Sequence, residues 1–132
     1  LQDRAGERRI YDLFKQKLDI RAASPATLVG TLSGGNQHKI ALAKWMSMDP
    51  RLLILDEPTR GIDVGAKAEI HALIGKLAET GVSVILISSE LPEILGLASR
   101  ILTLRDGQVT ASLDGKTATE ESVMTALLGR TN

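Results

Sequence analysis

Two residue clusters in this chain have the types and spacing for phosphate chemistry. The first is Ser33-Gly34-Gly35, which opens a helical pattern in "TLSGGNQHKIALAKWM". Unpaired N–H groups at a helix start point outward, glycines let an anion approach the backbone, and the helix dipole favours negative charge there. A Gly-Gly pair is unremarkable in a chain with 12 glycines, so on its own it reads equally well as a loop with an N-cap serine. The second cluster is Asp56-Glu57, which closes the aliphatic run "LLIL" (52–55). A buried strand ending there places both carboxylates at the C-terminal rim of a sheet, where α/β proteins bind ligands. Either they are simply solvated, or Asp56 holds a magnesium ion, usually through water, and Glu57 polarises the attacking water of a phosphoryl transfer.

No GxxxxGK[ST] phosphate loop accompanies these clusters. Gly115-Lys116-Thr117 ends like one, but Thr110 stands where the first glycine belongs. The string also follows the carboxylate strand instead of preceding it, so it reads as a turn before the last helix. His38 and His71, the only histidines, sit on predicted helices with no metal-ligating residue three or four positions on. Both read as surface or boundary residues.

The elements that must position these clusters follow from hydrophobic spacing. Ile10, Leu13, Phe14 and Leu18 share one face of a first helix. A loop around Ser24, Pro25 and Gly30 follows. The helix after Gly35 ends near Met48, because Asp49-Pro50 disfavours continuation. "LLIL" and "VSVILIS" (82–88) are all-aliphatic, as parallel strands buried on both faces are. Between them Ile70, Leu73, Ile74 and Leu77 repeat at helical spacing, with Asp63 placed to cap the start and Gly81 after the end. A short helix from Leu91 to Leu97 leads into "RILTL" and "QVTASL", joined by a turn at Asp106-Gly107. Thr119 to Leu128 reads as a last helix. Strands alternating with helices predict an α/β fold with a mainly parallel sheet.

The bulk composition narrows the function classes. A chain of 132 residues makes one modest domain. With 43% hydrophobic residues but only Tyr11, Phe14 and Trp45 as aromatics, aliphatic side chains and alanine must fill the core. Sixteen basic and 16 acidic residues cancel, against a nucleic-acid or anionic-membrane partner. Absence of cysteine removes disulfides and thiolate zinc sites, and fits a reducing compartment. No apolar run reaches membrane-spanning length and the N-terminus lacks a signal-peptide layout, so a membrane connection is expected only through a partner.

In order, "LSGGNQ", "LLILDEPTRGID" and an aliphatic strand ending in "SSE" resemble the ATP-binding-cassette (ABC) ATPases, from Thr31 nearly to the C-terminus. "RGIDVGAKAEI" and "ISSELPEIL" further resemble the second cassette of bacterial simple-sugar import ATPases of the ribose, galactose and xylose type, which carry two cassettes on one polypeptide. The resemblance implies a P-loop NTPase fold, with part of the helical signature subdomain at 1–50. Residues 51–132 would form the C-terminal part of a mainly parallel RecA-like sheet with flanking helices.

It also implies a division of labour. Cassettes of this family close head to tail around two ATP molecules. Ser33, Gly34, Gly35 and Asn36 would therefore contact ATP held by the opposite cassette. Asp56 would hold Mg2+ through water, Glu57 would be the catalytic carboxylate, and Asp63 the D-loop aspartate. Ser89 occupies the position of the family's usual H-loop histidine, and a hydroxyl lacks that imidazole's reach and proton-accepting nitrogen. The site containing Glu57 is therefore expected to be slow or regulatory, with the Ser33 signature completing the other site. The Walker A and glutamine loops would precede Leu1, so the chain is expected to be the C-terminal portion of a cassette, inactive by itself and prone to self-association. Implied partners are ATP, the other cassette, membrane permease subunits and a substrate-binding protein, with a cytoplasmic location against the inner membrane. The competing readings are a soluble ABC ATPase of translation or DNA repair, and a non-catalytic interaction module. The neutral charge disfavours the first.

Overall fold

A computed structural model describes residues 34–129 together with Asp12, and not the side chains of residues 34–37. The first predicted helix, the loop around Ser24 and Pro25, and Ser33 lie outside the described residues. The order is α1 (Gly34–Met46), β1 (Leu52–Asp56), α2 (Val64–Glu79), β2 (Ser83–Ile87), α3 (Leu91–Leu97), β3 (Arg100–Arg105), β4 (Gln108–Asp114) and α4 (Glu120–Leu127). This is an α/β chain that divides into two compact units, Leu1–Ile85 and Leu86–Asn132.

In the first unit, α1 packs on α2, and β1 is hydrogen-bonded to β2. The Ser83 N–H donates to the Arg51 carbonyl over 2.9 Å, so the two strands begin side by side, as parallel strands joined by a helical crossover do. Leu42 from α1, Leu53 and Leu55 from β1, and Ile70, Leu73, Ile74 and Leu77 from α2 are buried. The apolar positions read from helical spacing are thus the inward face of α2. α1 stops at Met46, two residues earlier than predicted, and Asp49 turns the chain with φ 51° ahead of Pro50. α2 is closed by Thr80 at its C-cap and Gly81 at φ 97°, a conformation glycine adopts without a Cβ clash.

One expectation fails here. β1 alternates, with Leu53 and Leu55 buried but Leu52 and Ile54 half-exposed, and Ile85 of β2 is half-exposed too. An all-aliphatic strand was expected to be buried on both faces. The second face of β1 is only partly covered, with Leu52 50% and Ile54 59% exposed.

In the second unit, β3 and β4 form an antiparallel hairpin with α4 packed on both strands and α3 against α4. Asp106 and Gly107 both have positive φ, 51° and 76°, the pairing of a two-residue type I′ turn. The register shifts between Thr103 and Leu104. Thr110 occupies the bulge, its hydroxyl 2.7 Å from that of Thr103. Ile101 and Val123 fill the small core. Thr119 and Ser122 form a reciprocal capping box at the start of α4. None of the described helices is long and apolar enough to cross a membrane.

Candidate functional site

The end of β1 is where the sequence placed chemistry. Asp56 is its last residue and is exposed. Glu57 follows with φ 49°, a left-handed conformation that costs a non-glycine residue about 1–2 kcal/mol. Strain of this kind persists where the surroundings over-determine it, and it clusters at functional sites. Several contacts hold this turn. The Arg60 N–H donates to the Glu57 carbonyl over 3.2 Å. Arg60 Nη2 lies 3.8 Å from Glu57 Oε1, and the Glu57 side chain is 19% exposed. Thr59 is fully buried.

Downstream, Gly61 bends the chain with φ 77°, and Asp63 caps α2 by accepting from the Ala66 N–H over 2.9 Å. The predicted cap is therefore present, and it fixes where the loop after β1 ends. α1 begins at Gly34, so Gly34, Gly35 and Asn36 form its first turn, where the backbone donors of a helix have no intrahelical acceptor. Asp56, Glu57, Asp63 and this first turn all belong to the first unit. Ser89 belongs to the second unit, where it is exposed just after β2. Its neighbour Ser88 accepts from the Glu90 N–H over 3.0 Å.

Among the described residues, no three His, Asp or Glu side chains gather around a point that could hold a metal. Magnesium does not require such a cage. It keeps several waters and is bound through one or two carboxylates plus substrate phosphates. An exposed Asp56 at the strand end fits that donor set.

Two residues that looked ordinary in the sequence turn out to connect α1 to its surroundings. His38 is half-buried, and its Nδ1 is hydrogen-bonded to the Pro58 carbonyl, next to Glu57. A carbonyl only accepts, so the proton is on Nδ1. Lys39 is 3% exposed and pairs with Glu69 of α2. The available signal was that Lys39 lies one turn before Leu42, on the buried stripe of α1. By contrast, Gly115-Lys116-Thr117 is the turn it was expected to be. The Lys116 N–H donates to Asp114 Oδ1 over 2.8 Å and the Thr117 N–H to the Asp114 carbonyl over 3.2 Å.

Comparison with known proteins bears on the family resemblance. Residues 5–60 match the family model described as ABC transporter. The chain is 55% identical over 98% of its length to a ribose import ATP-binding protein of Streptomyces avermitilis. It is 48% identical over 98% to one of Bacillus subtilis. In both cases it spans 26% of the relative's length. Its fold matches that of an ATP-binding cassette dimer in a post-hydrolysis state bound to ADP and Pi, with TM-score 0.73 and 23% identity, over 86% of this chain and 49% of that one. An ABC transporter cassette in its ADP conformation matches with TM-score 0.68 and 21% identity, over 92% and 44%. By family model and sequence relatives, this chain is similar to a portion of the ATP-binding proteins of ABC transporters, and its fold is that of their cassettes.

Proposed function

We propose that the full protein hydrolyses ATP to drive carbohydrate import, with cassette closure and reopening as the working stroke. The observation that carries this reading is the identity of about half to ribose import ATP-binding proteins along nearly the whole chain. Partners in this reading are the opposite cassette, permease subunits that hold the protein at the cytoplasmic face of the membrane, and a substrate-binding protein. Residues 1–50 serve as the signature portion and 51–132 as the nucleotide-binding core.

Glu57 accepts a proton from water as that water's oxygen attacks the γ-phosphorus, and the bond to the β,γ-bridging oxygen breaks to leave ADP. Asp56 would hold Mg2+ through water, an ion that would supply positive charge against the phosphates. Ser33, Gly34, Gly35 and Asn36 present backbone donors and the helix dipole to the γ-phosphate of ATP bound by the opposite cassette. Their contribution is positioning and electrostatics. Asp63 lies on the D-loop between the two sites, and Ser89 replaces the usual histidine of the Glu57 site. The test compares Gly35→Asp with Glu57→Gln in the full transporter. Gly35→Asp should cost more turnover, because it damages the site on the opposite cassette, whereas Glu57→Gln damages one in which Ser89 already replaces the histidine. Equal losses would contradict the asymmetry, and no loss from either would remove the ATPase assignment.

A further inference from the structure

The contact between α1 and the loop after β1 is not explained by either cluster taken alone. Glu57 is useful only if its carboxylate is aimed, and its backbone is in a conformation that a non-glycine residue does not hold without help. Two pins lie within the loop itself: the Arg60 N–H to the Glu57 carbonyl, and the Ile62 N–H to the Thr59 carbonyl over 3.4 Å. His38 supplies a pin from a different element, at the carbonyl of Pro58, the residue that follows Glu57. α1 itself is tied to α2 by Lys39 Nζ donating to Glu69 Oε2 over 2.6 Å, so the imidazole sits on a helix that is held in place.

We propose that His38 is a positioning residue for Glu57: its Nδ1–H, held on the Pro58 carbonyl, fixes the strained turn that aims the carboxylate. This rests on the reading of Glu57 as the catalytic carboxylate, and it adds that α1 carries, one turn beyond its glycines, part of the support for this cassette's own site. A displacement of reacting groups by about 1 Å costs roughly a hundredfold in rate, so a loosened turn should show in turnover before it shows in nucleotide binding.

The experiment uses the full-length protein in a background where the other cassette's corresponding glutamate is changed to glutamine, so residual turnover reports the Glu57 site. His38→Ala should lower kcat about tenfold with the KM for ATP changed less than about twofold. His38→Asn places an amide N–H near the position of Nδ1 and should recover most of the loss. Because His38 acts through Glu57, the double variant His38→Ala/Glu57→Gln should be no slower than Glu57→Gln alone. If His38→Ala loses its cooperative melt, His38→Met, which fills the volume without a donor, replaces it in the same comparisons. Unchanged kcat in the donor-less variant, failure of asparagine to rescue, or additive losses in the double variant would each overturn the role of His38 alone. Unchanged residual turnover in Glu57→Gln would overturn the catalytic reading of Glu57, and the proposal with it.

Discussion

Lys39 and Glu69 form a lopsided ion pair. Their charged atoms are 2.6 Å apart, yet the lysine side chain is 4% exposed and the glutamate side chain 49%. The ammonium has been taken out of water, whereas its partner remains half in it. Removing the glutamate is therefore worse than losing a surface salt bridge. Glu69→Ala should destabilise the first unit by about 1–3 kcal/mol, above the 0–1 of exposed pairs and below a fully buried pair. Lys39→Met, which removes the buried charge and keeps the stem, should cost less. Urea denaturation of both variants checks the order; a milder Glu69→Ala would show that the lysine is well solvated by other means.

Asp63 joins the loop after β1 to α2 twice: its side chain accepts from the Ala66 N–H, and its carbonyl accepts from the Lys67 N–H over 2.9 Å. Asp63→Ala should destabilise the start of α2 by about 1 kcal/mol, with Asp63→Ser recovering most of it. Amide exchange across residues 64–67 of the full-length protein should rise in the alanine variant alone. Equal protection in both variants would mean the cap is dispensable.

A side chain at Gly115 has nowhere to go. A Cβ built there would lie 1.9 Å from the Ala98 carbonyl oxygen, and that oxygen belongs to backbone that cannot swing aside as a side-chain tip does. The Gly115 N–H also donates to the Ser99 carbonyl over 2.9 Å, which holds the two segments together. Gly115→Ala should therefore destabilise the second unit by about 1–3 kcal/mol through overpacking. Gly75, mid-helix with open space around it, provides the contrast. Gly75→Ala should stabilise α2 by about 0.5–1 kcal/mol. Thermal melts of the two alanine variants should move in opposite directions.

The half-exposed aliphatics Leu52, Ile54 and Ile85 make one face of the first unit's strands sticky. In solution, the isolated 132-residue chain should self-associate as its concentration is raised. Ile54→Lys should shift it toward monomer, as read by light scattering. A chain that stays monomeric at high concentration without the substitution would contradict this.

Much of the structure was legible in order and spacing. The period of Ile70, Leu73, Ile74 and Leu77 named the buried face of α2, because a helix returns every third or fourth residue to the same side. Asp106-Gly107 named a hairpin turn because both positions require positive φ. Asp63 named a helix start because a short oxygen-bearing side chain reaches back to unpaired N–H groups. The sequence of "LSGGNQ", "LLILDEPTRGID" and "SSE" carried the family.

Other features depended on which elements face each other, and that is not local. Nothing around His38 in the chain shows that its imidazole meets the carbonyl of Pro58, 20 residues on, because that contact exists only once α1 is laid against the loop after β1. The same is true of the partner of Lys39: helical spacing places the lysine on the buried stripe of α1, but only packing brings Glu69 to it from 30 residues away. Burial of β1 on a single face likewise escaped its all-aliphatic sequence, since hydrophobicity states what a strand can bury and only packing decides what does cover it. The sequence by itself thus determined the periodicities, the caps and the family, all of which are short-range or ordered along the chain. The tertiary structure decided which polar side chains meet, because a hydrogen bond between distant residues depends on the placement of whole elements and leaves no periodic trace.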